Sequence, residues 1–318
     1  LQKKTRSNPT DKDLVLNSRR TILIRSLLLF VIGTIDSIYW PADILRSYGV
    51  FFFIGAFCLH WKKNHYLFAS LFSIFVFTLL FILFDFSKDW NFTKYSYIGF
   101  WTIPGFLKSL FFNGWNPIFP WIGLFFWGMY LGVYLIEENQ NQKKVFWISG
   151  VLLLVLFLLS LNSDLLKILN PVVLNGSYAK SNIFTVNQLP PLPLYFFMSI
   201  CFANLIIIIM NSVGDRYQSS TVVNSIAKIG TYSHTIYLFH IYFGIILYIL
   251  IRGIPTEEEF YSVYGTESIE FMWIYTICAF FILSIYSLLW SKKFQSGPLE
   301  TLVKKLSDSN PTKKKKHI

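Results

Sequence analysis

Residues 66–86 read YLFASLFSIFVFTLLFILFDF, with a single charge, Asp85, next to the end of the run. As a helix, such a run is about 30 Å long, the thickness of a bilayer's hydrocarbon core. Seven further blocks have the same character, at 21–39, 45–61, 118–136, 145–161, 191–211, 232–251 and 270–290. With 54% hydrophobic, 19% aromatic and 14% charged residues, blocks this long and aromatic do not suit the core of a water-soluble fold. The sequence predicts an all-α, polytopic transmembrane helix bundle of about eight spans.

Basic residues orient the bundle. Placing the N-terminus inside puts 21 of the 28 Lys and Arg on that side, including Arg19, Arg20, Lys62, Lys63, Lys143 and Lys144. Both ends are then cytoplasmic and the expected location is the cell membrane. The net charge of +11 is explained by this bias and by the terminal PTKKKKHI, read as a basic cytoplasmic tail over 307–318 near anionic headgroups. No basic module is left over, so no nucleic-acid partner is expected. Cys58, Cys201 and Cys278 fall inside predicted spans without metal-ligand spacing, so packing is their expected role and no metal is predicted.

The first residue is Leu1 and the opening LQKKTRSNPTDKD resembles a loop leaving an earlier helix, so residues 1–306 are read as an N-terminally incomplete membrane domain. Beyond the short 40–44 turn, three longer loops fall outside. Residues 87–117 include an apolar stretch interrupted by Pro104 and Gly105, expected to be re-entrant or interfacial; 162–190 end in LPPLPL; a third loop holds Glu257 to Glu259. NFT at Asn91 and NGS at Asn175 are sequons that arise easily by chance. Inside, VVNSIAKIG (222–230) has an amphipathic pattern suited to the membrane surface.

Polar residues in apolar blocks need a reason. His240 shares a helical stripe with Ser233, Tyr237 and Gly244. His240 and Tyr237 are the catalytic candidates, against the plainer reading of an interhelical hydrogen bond. His234 lies six residues from His240, on another face, so the two do not form a metal pair. At the outer side, Asp36, Trp40, Asp43 and Arg46 form a second group, with Asp43 and Arg46 one helical turn apart. Together with Asn113 and Trp121 they are the candidates for binding a polar headgroup or sugar. The alternative is an ordinary aromatic belt with interfacial charges. In GWNPIFPWIGLFFWGMYLG, Pro117 and Pro120 suit a helix start, and Gly128 and Gly132 form a small-xxx-small pair that would admit a neighbouring helix.

Four stretches carry a resemblance in order: ADILRSYGVFFFIGA, NGWNPIFPWIGLFFWGMYLG, TYSHTIYLFHI and SGPLETLVKKL. Together they resemble the YeiB-like and heparan-α-glucosaminide N-acetyltransferase-like membrane proteins of the membrane acyltransferase superfamily. The resemblance implies transfer of an acyl group from acetyl-CoA or another acyl-CoA, as co-substrate, to a glycan or lipid acceptor. No bound cofactor is implied. The family's opening helices, with an Asp-and-Arg-Gly motif and a histidine proposed to be catalytic, have no counterpart in these residues. A transporter or lipid/glycan export protein is the alternative reading.

Overall fold

The computed structural model describes residues 2–8, 10–92, 96–137, 141–162, 183–253 and 268–307. The chain divides into two compact units: Leu1–Trp90 with Tyr97–Ser212, and Asn91–Ser96 with Val213–Ile318. The predicted tail, the sequon at Asn175 and the Glu257–Glu259 run lie outside the described residues, as does most of the 162–190 loop.

In the first unit, α1 (Gln2–Ser7) precedes α2 (Lys12–Asp36), whose N-terminus is capped by Asp11 accepting from the Leu14 N–H at 2.9 Å. The helix α3 (Leu45–Phe57) returns antiparallel along α2. Three contacts set that register. Ser26 donates to Gly49 O at 2.8 Å, and Arg19 Nε donates to Ala56 O at 3.2 Å, supplying a cation at the C-terminus of α3. At the other end, Gly33 lies so close to α3 that a Cβ there would sit 2.2 Å from Arg46 N. Only a residue without a side chain lets the two backbones approach this closely.

Next come α4 (Lys63–Leu83) and a short ribbon, β1 (Trp90–Asn91) with β2 (Ser96–Tyr97). The helix α5 (Ile103–Lys108) is capped by Thr102, whose hydroxyl accepts from Gly105 N at 3.2 Å, and carries Pro104 in its first turn, where proline costs little. It runs into a π-helical turn, Ser109–Asn113. The interrupted stretch therefore forms a short helix and not a ninth span. α6 (Ile118–Leu131) packs along α4, with Ser73 donating to Pro120 O at 2.9 Å, and ends in a second π-helical segment, Gly132–Glu137. Phe119 departs from helical dihedrals, so regular winding begins only after it.

The small-xxx-small expectation is corrected here. A Cβ on Gly128 would meet nothing within 4 Å and one on Gly132 only Gln2 Oε1 at 3.6 Å. The close approach is at Gly123 instead, where a Cβ would lie 2.8 Å from Phe196 and 2.9 Å from Ser70 O, because it is that face of α6 that meets α4 and the helix carrying Phe196.

The helices α7 (Gln142–Leu161) and α8 (Pro193–Arg216) complete this part of the chain. Asn204 of α8 binds both neighbours, accepting from Trp127 Nε1 at 2.8 Å and donating to Ser149 Oγ at 3.0 Å. Two aromatic-rich clusters fill the interior, one around Phe51, Tyr66, Ile122 and Phe126, the other around Phe77, Phe81, Phe86 and Phe196.

The second unit contains α9 (Thr221–Gly230), α10 (Ser233–Arg252), α11 (Ile269–Ser291) and α12 (Pro298–Ser307). Among the described residues, five helices are long and apolar enough to cross a membrane: α4, α6 with its extension to Leu135, α7, α8 and α11. The fold is thus all-α and built of membrane-length helices, but two of the eight predicted blocks differ. α2 has the length and carries Arg19, Arg20 and Arg25 within it; α3 has 13 residues, about 20 Å, whereas α10 follows its predicted block as a helix over Ser233–Arg252. Cys58 and Cys201 are buried as packing residues, whereas Cys278 is exposed.

Candidate functional site

The chain turns between α2 and α3 through a tight loop. Trp40 N–H donates to Asp36 O at 2.8 Å and Asp43 N–H to Trp40 O at 2.9 Å. This brings four of the sequence candidates, Asp36, Trp40, Asp43 and Arg46, to one junction. Asp36 is 1% exposed, Asp43 0% and Arg46 1%, an unusual depth for two carboxylates and a guanidinium.

Asp43 and Arg46 interact as their spacing suggested, though through the backbone: Asp43 Oδ1 accepts the Arg46 N–H at 3.1 Å, satisfying a donor of the first turn of α3. The guanidinium carbon lies 4.8 Å from the centre of the Phe100 ring and 5.3 Å from that of Phe106, so two aromatic faces enclose the cation. Its Nε and Nη1 are buried with no hydrogen-bond partner. Sequence reading missed the two phenylalanines, which flank the Pro104–Gly105 break and are more than fifty positions from Arg46. Only an aromatic stretch too interrupted to span signalled them.

Asn113 belongs to the wall of this region. Its Oδ1 accepts from Tyr97 OH at 2.8 Å, and its Nδ2 donates to Lys88 O at 2.8 Å and Phe86 O at 3.3 Å. These bonds fasten the α4–α5 connection. Burial, then the nearby Asp89 carboxylate, push the Tyr97 phenol up to about 12, against the hydrogen bond to Asn113, which lowers it. Three residues on, Asn116 donates to Ala42 O at 2.8 Å and accepts from Ser47 Oγ at 2.5 Å, tying the loop to the α2–α3 junction. Trp121 stands in the first turns of α6, edge-on to Tyr195 at 6.1 Å, its Nε1 buried with no hydrogen-bond partner.

The catalytic candidates lie in the second unit. The rings of Tyr237 and His240 are 5.4 Å apart, and His240 is exposed, its carbonyl accepting from Tyr275 OH at 3.1 Å. The better-engaged group nearby is one that sequence reading did not single out. Glu300 Oε1 accepts from His234 N at 2.8 Å and Thr235 N at 3.0 Å, and Oε2 accepts from Thr235 Oγ1 at 2.5 Å. A carboxylate from α12 thus caps the N-terminus of α10, where the helix dipole favours a negative charge. Gly297 makes room for it: a Cβ there would lie 2.2 Å from Glu300 Oε2. Two of the four resembling stretches, TYSHTIYLFHI and SGPLETLVKKL, therefore meet in one hydrogen-bonded knot.

Five membrane-length helices among the described residues of an all-α fold define a multi-pass helical membrane protein. The chain belongs to the DUF418 family, described as proteins of unknown function and associated with YeiB-like membrane proteins; the match covers residues 134–310 and so includes the Glu300 knot but not the Arg46 junction. No curated protein matches the chain, and no solved structure does.

Proposed function

We propose that this protein is an acyltransferase-like membrane protein in which the Asp36–Asp43–Arg46 junction receives the polar part of a glycan or lipid acceptor. One observation supports the site: a guanidinium 1% exposed whose Nε and Nη1 have no hydrogen-bond partner, beside two buried carboxylates. Buried donors without partners are costly, and ionisable groups in a membrane bundle mark substrate sites more often than they add stability. Arg46 would donate to an acceptor oxygen, while Asp36 and Asp43 would orient a hydroxyl or amine.

The acyl-transfer chemistry rests on the resemblance of the four stretches. In it the acceptor's hydroxyl or amine attacks the thioester carbonyl of an acyl-CoA, the C–S bond breaks, and the acceptor's proton leaves with the CoA thiol. Binding energy would serve mainly to hold acceptor and thioester in register. The basic side, which the positive-inside bias assigns to the cytoplasm, would face the donor.

Proteoliposomes given labelled acetyl-CoA and membrane glycolipids test the proposal. The expected result is label on a glycolipid, reduced at least tenfold by Arg46→Lys, which keeps the charge and loses the planar fork. Absence of both transfer and donor binding overturns it. The interrupted helices, with π-helical turns at Ser109–Asn113 and Gly132–Glu137 and a break at Phe119, favour a second reading as a transporter or export protein. Donor-independent flux of a glycolipid headgroup would select that reading.

A further inference from the structure

One end of the second unit is built from the start of α10 and the finish of α11, with α9 and α12 attached to it. Tyr232 donates to Phe294 O at 2.9 Å and Glu300 caps α10. This is where α11, a membrane-length helix, ends, and both attached helices expose apolar side chains there. In α9, Val222 is 67% and Ile226 62% exposed, one turn apart, and the helix buries no residue at all. In α12, Leu299, Leu302, Val303 and Leu306 repeat at helical spacing, with Leu302 48% and Leu306 45% exposed. Lys304 and Lys305 are exposed on the same helix, as are Lys292 and Lys293 just before it. The one carboxylate of α12, Glu300, is turned inward onto His234 and Thr235, so it does not offset those lysines at the surface.

We infer that α9 and α12 are a pair of interfacial helices that lay Val222, Ile226, Leu302 and Leu306 into the headgroup boundary of anionic phospholipid. Amphipathic helices with a lysine-bearing polar side bind in this way, through buried apolar area together with attraction to anionic lipid. The charge identifies the occupant. An apolar partner protein or second copy would leave the lysines unpaired, whereas phosphodiester headgroups pair them at the depth where α10 and α11 leave the bilayer. Because Glu300 joins α12 to the first turn of α10, lipid engagement would also hold that knot closed.

Cysteines introduced one at a time by I226C and L302C, with the exposed Cys278→Ser and the buried Cys58 and Cys201 left in place, are labelled with an environment-sensitive fluorophore. The intact chain is reconstituted in nanodiscs of phosphatidylcholine, alone or in equimolar mixture with phosphatidylglycerol. The expected result is blue-shifted emission, quenched by doxyl-lipid, in the mixed bilayer. The population of the quenched state should fall by roughly fivefold for each lysine removed in K304Q and K305Q. A salt titration of the chain with all lysines intact reads the same attraction without altering the fold, and should reverse the quenching. Labels that stay in water in both bilayers overturn the inference. So does equal quenching in phosphatidylcholine alone, protection that depends on protein concentration, or displacement by inorganic phosphate at constant ionic strength.

Discussion

Removing the carboxylate at position 300 tests how the second unit is held together. Glu300 accepts two backbone N–H groups and one hydroxyl, and its side chain is 15% exposed. Glu300→Ala removes both acceptor oxygens, with their three bonds, and the negative charge from the N-terminus of α10. Each bond to an ionised acceptor is worth about 1.5–3 kcal/mol, but water reaches part of the vacated space and such terms do not add. We expect a loss of about 3 kcal/mol in local stability, roughly a hundredfold in the opening equilibrium. Glu300→Gln keeps an acceptor oxygen and loses the charge, for about 1 kcal/mol, or roughly fivefold. Hydrogen exchange on a peptide spanning Tyr232 to Tyr237, with the protein in nanodiscs, reads this directly. The amides of His234 and Thr235 should exchange faster in the order alanine, glutamine, wild type, with the centre of α11 unchanged. Identical exchange in Glu300→Ala and wild type would refute the capping role, and with it the account of why Gly297 has no side chain.

Four further outcomes are expected. Gly33→Ala places a Cβ where Arg46 N stands 2.2 Å away, so α2 and α3 must separate; about 1–3 kcal/mol of thermal stability should be lost, read as a lower melting midpoint. Tyr97 has its phenol raised from 10.0 to about 12, so its contribution is intact below pH 10 and is lost as pH climbs towards 12. Tyr97→Phe should remove one late-titrating tyrosinate from the ultraviolet absorbance and cost about 1 kcal/mol through the lost bond to Asn113. Asn204→Leu breaks the link between Trp127 and Ser149, and should shift tryptophan emission and cost about 0.6–1.7 kcal/mol. Arg46→Ala leaves Asp36 and Asp43 buried without the guanidinium and should lower stability by about 3–5 kcal/mol, well beyond Arg46→Lys, in the same melting assay.

Helices such as α4, α8 and α11 were legible in the sequence because a bilayer imposes a length and an apolar composition that any window reveals. The end of α3 was not, because an apolar run continues past the point where the backbone stops being helical. At Cys58 the α3 ladder ends although the neighbouring residues remain apolar. The Arg46 junction was half legible. Asp43 and Arg46 are neighbours by helical spacing, whereas Phe100 and Phe106 come from far along the chain and only folding brings them there. Asn113 attracted notice as a polar residue in an apolar stretch. What its amide binds, Phe86 O, Lys88 O and Tyr97 OH, is non-local, and no pattern in its own segment announces those partners. Glu300 shows the same limit: its stretch stood out, but its partners lie 65 and 66 positions away.

The bond between Ser149 and Asn204 has a consequence for how α7 can vary. Ser149 is the one buried residue of that helix, while Trp147, Val151, Leu154 and Leu161 are each more than half exposed. Nearly every position on α7 therefore answers only to the requirement of being greasy, and a saturation library should accept Leu, Ile, Val and Phe there almost interchangeably. Position 149 alone should select for a small hydroxyl. The rotation of a whole helix about its axis would then be encoded in a single side chain, and moving that serine by one residue should turn α7 by about 100° while leaving its composition untouched.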